Sequence, residues 1–341
     1  MKKYIFEITF YFLLPAILIA VIAEISLRKI PNDYAFKNEW LTKNSEELEV
    51  LALGASSIFH DFNPYYLEKQ GFNAAHLSQS LKYDHFIFNK FIDQMPSLEY
   101  VIMGIDYWSP FGDIEESPEW WRVKYYNIHY GGEFYRWEGR YNYEIYFQDL
   151  STFKRAANGF LTMLGMRNES LISTNDRGYG LHYTLANRSD DWDNGEYEAL
   201  RHNALIDEAL TMNNRFDQNR KYVEDIILQS SKRGIKVLLV NVPLYRTYRD
   251  HLNSEHLIQQ KEFCRYFEKN FPNVSYHDFS NDPRFSEGDF YDANHLNEKG
   301  TEKFTRIIDS IINSDTSRLL VESKFSENDK QFTNITEKPK E

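Results

Sequence analysis

Two short stretches far apart in the chain hold the residue types of a nucleophilic site. Gly54-Ala55-Ser56-Ser57 follows the apolar run Val50-Leu51-Ala52-Leu53 and precedes the turn-forming Asn63-Pro64, so a serine stands where a buried strand ends. Asp292-Ala293-Asn294-His295 supplies a carboxylate and an imidazole three residues apart. A hydroxyl is a poor nucleophile until a base takes its proton. Imidazole titrates near neutrality, and a carboxylate can fix its tautomer and stabilise the imidazolium. Together these groups suit acyl transfer through an acyl-enzyme on Ser56, with His295 as base and Asp292 orienting it, in the chain order Ser…Asp…His. Ser57 is the alternative nucleophile, because the sequence does not say which hydroxyl points outward. Gly-x-Ser and Asp-x-x-His are each common by chance. Their worth depends on whether the fold brings them to one edge.

The elements that must do so alternate. Strand patterns cover residues 46–53, 72–75, 98–105, 235–242 and 274–279. Helical patterns cover 64–70, 80–94, 219–232, 256–271 and 298–312. Nearly continuous apolar strands separated by helices predict an α/β fold: a three-layer α/β/α, flavodoxin-like arrangement around a parallel sheet of about five strands. Ligands bind beyond the carboxyl ends of such strands. Ser56 follows the first strand and Asp292 and His295 follow the fifth, which puts all three on that edge.

From residue 110 to 216 the rhythm breaks into an insertion. Twelve of the 28 residues from Trp120 to Phe147 are aromatic. Trp120, Trp121, Tyr125 and Tyr126 are candidate substrate-binding residues, since flat rings stack on sugar faces, although such rings also serve simply to pack an insertion poor in Leu and Val. The loop 181–194 is a further candidate for the cleft wall.

The N-terminus carries Lys2 and Lys3 and then an uncharged apolar run from Ile8 to Ala23, long enough with Tyr4–Phe6 to cross a bilayer. An uncleaved anchor, a signal cleaved before Glu24 and a buried helix are the three readings; the first two put the body outside the cytoplasm. Residues 1–30 are thus expected to be the anchor or signal, 31–45 a stalk, 46–313 the catalytic domain, and 314–341 a polar, disordered tail. A net charge of −12 argues against nucleic acid as a partner, and one cysteine, Cys264, excludes an intrachain disulfide and a multi-cysteine metal site. No metal-ligand spacing and no phosphate loop is present, so neither metal nor cofactor is expected.

Residues Val50–Pro64 resemble the nucleophile block of the SGNH/GDSL hydrolase superfamily, closest to a divergent, membrane-anchored branch. Asp292–Asn297 with Gly300 resembles its last block, and Asn73 with Ser78-Gln79-Ser80 its oxyanion block. The resemblance implies Ser56, Asp292 and His295 as catalytic residues, with Ser56, Ser78 and Gln79 around the oxyanion. It further implies an esterase or O-acetyltransferase acting on acylated cell-envelope or exported polysaccharide, in the latter case drawing on a membrane acyl-donor protein. Three positions depart from the pattern. Ala55 stands for Asp or Ser, and Ser78 for glycine. Gly104-Ile105-Asp106-Tyr107 replaces Gly-x-Asn-Asp, and an ionised Asp106 cannot donate to an oxyanion. Another donor must then complete the hole, or the protein is a weakly active or inactive glycan-binding relative.

Overall fold

Alternate residues of the three central strands feed two separate cores. Leu51, Leu53, Val101, Met103, Val237 and Leu239 pack on one side, and Val50, Ala52, Tyr100, Ile102, Leu238 and Val240 on the other. That period of two is the pleat of strands covered on both faces. The computed structural model describes residues 2–146, 151–211 and 214–314. The tail expected to be disordered lies, from residue 315 onward, outside the described residues.

Strands β1 (Val50–Leu53), β2 (Gly71–Asn73), β3 (Tyr100–Gly104), β4 (Lys236–Asn241) and β5 (Val274–Asp278) form one sheet in the order β2-β1-β3-β4-β5. Every pairing is parallel, with Leu51 opposite Phe72 on one side and Val101 on the other. This is the doubly wound, flavodoxin-like order, whose crevice opens where the order reverses, at the carboxyl ends of β1 and β3. The helices are α1 (Lys2–Arg28), α2 (Asp33–Asn44), α3 (Ser56–Asp61), α4 (Leu81–Phe91), α5 (Val123–Tyr130), α6 (Ser151–Met163), α7 (Glu196–Thr211), α8 (Arg215–Lys232), α9 (Ser254–Asn270) and α10 (298–314). Apolar residues of α2, α4, α8 and α9 cover the first face of the sheet, and those of α3 and α10 cover the second. The α/β three-layer expectation is met.

Four boundaries differ from the sequence reading. Residues 31–45 are no stalk: α2 buries Tyr34, Lys37 and Leu41 in the main core, started by Asn32, whose side chain accepts from the Tyr34 and Ala35 N–H groups. The helix expected over 64–70 shrinks to a single 3-10 turn, Pro64–Tyr66, capped by Asn63. Asp292 and His295 sit not in a plain loop but in a two-stranded hairpin, β6 (Phe290–Asp292) and β7 (His295–Leu296). The insertion is helical, with Tyr126 and Tyr130 of α5 sharing the core of α4.

In α1 the large apolar side chains from Tyr4 to Ile25 are exposed, and burial begins at Ser26 and Leu27. It is therefore not a core helix, and it is long and apolar enough to cross a membrane.

Candidate active site

The turn after β1 is shaped by two glycines. Gly54 has φ +145°, and a Cβ there or at Gly104 would strike the Ile58 side chain, at 2.8 and 2.3 Å respectively. Bare backbone at both strand ends lets α3 sit tightly on β1 and β3, with Ser56 as its first residue. Its last residue, Asp61, is buried, and its carboxylate accepts the Leu296 N–H at 2.9 Å. One short helix therefore carries the serine at one end and pins the histidine strand with the other.

The three catalytic candidates meet. His295 Nε2 lies 2.9 Å from Ser56 Oγ, and His295 Nδ1 lies 3.0 and 3.1 Å from the two Asp292 oxygens. The Asp292 carboxylate also accepts the Asn294 and His295 N–H groups at 3.0 and 2.8 Å. Burial works against a charge on His295, but the Asp292 carboxylate, helped by Asp61 and Asp106, outweighs it and lifts the imidazole to about 9. Burial would raise Asp292; the imidazolium and the two backbone donors win and hold it below the ordinary carboxylate value. At rest the pair is therefore an ion pair. Ser57 is committed elsewhere: its hydroxyl donates to Asp106 Oδ1 at 2.6 Å. Ser56 is the hydroxyl presented to the base.

The oxyanion block is held from behind. Ser78 adopts φ +56°, the left-handed region, which is the physical reason a glycine suits this position. The Gln79 side chain lines the cleft and is held at both ends. Its amide N donates to Asp84 Oδ1 at 2.6 Å, and its Oε1 accepts from Tyr126 OH at 3.0 Å. The Gln79 N–H turns to the His76 carbonyl at 3.2 Å. The N–H groups of Ser56 and Ser78 have no hydrogen-bond partner among the described residues, and no side chain caps α3. Ser56 and Ser78 thus offer main-chain donors, and the Gln79 amide, with one N–H given to Asp84, keeps a second N–H at the cleft. Buried Asp84, whose carboxyl burial raises to about 8, also takes the Gly54 N–H, so one side chain ties the serine turn to this loop. From α2, Lys37 donates to the Ala75 carbonyl, and Tyr34 stacks on His76 at 3.9 Å. Burial draws that ammonium down to about 7.

These groups open into a cleft of about 570 Å³ lined by Ser56, Ser78, Asp106, Asp292 and His295 together with Trp108, Tyr183 and Tyr248. None of Trp120, Trp121, Tyr125 and Tyr126 lines it. Tyr126 is fully buried behind Gln79, Tyr125 and Trp120 pack on the core, and Trp121 stacks on Arg122, the residue that does reach the cleft. Tyr126, Tyr125 and Trp120 thus serve the packing of the insertion. The aromatic wall comes instead from Trp108, just past β3, and from Tyr183 in the 181–194 loop. Tyr183 stacks between His60 and Tyr291 at 3.6 and 4.0 Å and meets His295 edge-on at 5.1 Å.

Sequence reading passed over Tyr183, Asp84 and Asp61. For Asp84 a signal existed: it stands on the apolar stripe Leu81–Ile87–Phe88–Phe91 of α4, where an unpartnered carboxylate would be costly. Among the described residues no cluster of three or more His, Cys, Asp or Glu side chains could hold a metal ion. The chain matches no protein-family model and no curated protein.

Proposed function

We propose that this protein is an extracytoplasmic, membrane-attached serine enzyme of the SGNH hydrolase type, cleaving or transferring acyl groups on acylated carbohydrate. The observation that carries this reading is the continuous chain Ser56 Oγ–His295 Nε2–His295 Nδ1–Asp292 at the carboxyl edge of a parallel sheet. His295 removes the serine proton as Ser56 attacks the ester carbonyl. The Ser56 and Ser78 N–H groups receive the oxyanion, and the imidazolium returns its proton to the departing alcohol. Water or a sugar hydroxyl, deprotonated by the same imidazole, then releases the acyl group. Transfer is favoured over hydrolysis by the apolar helix α1, which keeps the site beside a membrane where an acyl donor would be held.

The test is a serine-reactive fluorophosphonate followed by mass spectrometry. Wild type carries the label on Ser56, and Ser56→Ala carries none. Absence of label on folded wild type ends the catalytic reading. Free hydrolysis of acetyl esters with no label ever reaching a sugar acceptor ends the transfer reading alone. A second reading, a glycan-binding protein on this fold, draws on the commitment of Gln79 to Asp84 and on the carboxylate at position 106. In that case Ser56→Ala keeps full glycan affinity and neither protein labels.

A further inference from the structure

Helix α6 is built inside out for water. Its exposed stripe is Phe153, Ala157, Phe160 and Leu164, at spacings of four, three and four residues, with Met163 alongside; the side facing the protein carries Thr152, Asn158 and Gly159. Soluble surface helices arrange these the other way round. The exposure is not marginal: Phe153 is 58% exposed, Leu164 56%, and Met166, just beyond the helix, 72%. A stripe of this kind has to be covered by something apolar.

Its location says what does. α6 packs against α1 where burial of α1 begins: a Cβ on Gly159 would stand 2.6 Å from the Ser26 carbonyl oxygen. The insertion grips the same level of α1 twice more, through Arg28 Nη2 donating to the Asn142 carbonyl at 2.8 Å and the Ile145 N–H donating to Glu24 at 2.9 Å. The 27 residues of α1 span about 40 Å against a hydrocarbon core of about 30 Å, so a crossing that starts near Tyr4 ends near Glu24. The α6 stripe therefore lies at the depth where α1 leaves the bilayer, and its apolar surface continues that of α1. Exposed Lys154 flanks it with a stem long enough to reach phosphates, while Arg167 donates to Asn158 at 2.6 Å and pairs with Glu169.

We infer that α6 is an interfacial membrane helix, its Phe153–Phe160–Leu164 face seated in the leaflet nearest the body. The inference rests on reading α1 as membrane-spanning. The body is then held to the bilayer at two places, by a crossing helix and a lying one, which fixes its orientation instead of leaving it on a loose tether.

The test uses the full chain in phosphatidylcholine–phosphatidylglycerol vesicles with an environment-sensitive fluorophore on one introduced cysteine. The positions are Ile17→Cys in α1, Phe153→Cys and Phe160→Cys in α6, and Ile258→Cys on exposed α9. The native Cys264 is buried, and the unsubstituted protein is the blank. Labels at 17, 153 and 160 should be quenched by spin-labelled lipid and shielded from aqueous iodide, with quenching at 160 about threefold stronger than at 258. Quenching at 17 with an iodide-accessible label at 160 overturns this inference and leaves the anchor standing. A label at 160 shielded from both quenchers means that a second copy or another protein covers α6, and also overturns it. No lipid quenching at 17 removes the anchor and the inference together. As a second variant, Phe153→Asp with Phe160→Asp alters only exposed positions and should make a label at Met166→Cys accessible to iodide.

Discussion

Replacing Asp106 by asparagine probes the weakest part of the proposed site. The Asp106 carboxylate accepts from Ser57 at 2.6 Å and lies close enough to His295 to help raise it. Asparagine keeps the shape, its carbonyl can keep the Ser57 bond, and its amide adds a donor at the cleft. One oxyanion donor is worth about 3 kcal/mol, roughly a hundredfold in rate. The second effect is electrostatic. With His295 held at about 9, only about 1% of the imidazole is free base at neutral pH, and each unit of lowering returns about tenfold of it. The two effects separate in a pH profile: an added donor raises the alkaline plateau, and a lost charge moves the midpoint down. The assay is the second-order rate of Ser56 labelling by fluorophosphonate from about pH 6 to about pH 10, read beside wild type, with folding checked by near-ultraviolet circular dichroism. A folded Asp106→Asn protein with neither a higher plateau nor a lower midpoint refutes the reasoning. A lower plateau would mean that the carboxylate itself serves the reaction.

In wild type, labelling should climb with pH toward a midpoint near 9, since only neutral His295 is a base. Asp292→Asn removes the largest counter-charge and leaves burial opposed only by Asp61 and Asp106, so the midpoint should fall well below 9 while the plateau drops about ten-thousandfold. The same pair links pH to stability. His295 is raised above its unfolded value, so its stabilisation is complete below about pH 6.5 and lost as pH rises through about 9; the urea-midpoint difference between wild type and Asp292→Asn should shrink over that window, while Lys37 and Asp84 titrate alike in both proteins. Ser57→Ala should keep the label on Ser56 yet cost about 1–3 kcal/mol in urea unfolding, because it leaves the buried Asp106 without its hydroxyl donor. Ser78→Val forces a β-branched residue into the left-handed region and should cost about 1–2 kcal/mol and slow labelling, whereas Ser78→Gly should do neither.

What was legible in the amino-acid sequence is what local chemistry decides. The short apolar runs Val50–Leu53 and Val237–Val240, rich in β-branched and aliphatic residues and closed by Gly54 and Pro243, read as strands buried on both faces, and the alternation with helices sets a parallel sheet and its binding edge. Ser56, Asp292 and His295 could be picked out because their roles demand those residue types and the fold class puts their segments on one edge. The apolar length of α1 was equally plain. What lay beyond reach was everything that depends on which side chains share space. Trp120, Trp121, Tyr125 and Tyr126 carry the same letters whether they stack on a sugar or fill a core, and only packing sent Tyr126 behind Gln79 and left the cleft wall to Trp108 and Tyr183. That Gln79 gives one amide N–H to Asp84, brought across by α4, and its oxygen to Tyr126 follows only from which helices pack together. Residues 31–45 read as a stalk because the segment is polar and opens on Pro31 and Asn32, and the burial of Lys37 against the Ala75 carbonyl is a long-range contact that no local pattern encodes. Ser56 and Ser57 are interchangeable as text; the direction of each hydroxyl follows from the tertiary placement of His295 and Asp106, because a hydrogen bond is decided by distance and not by sequence neighbourhood.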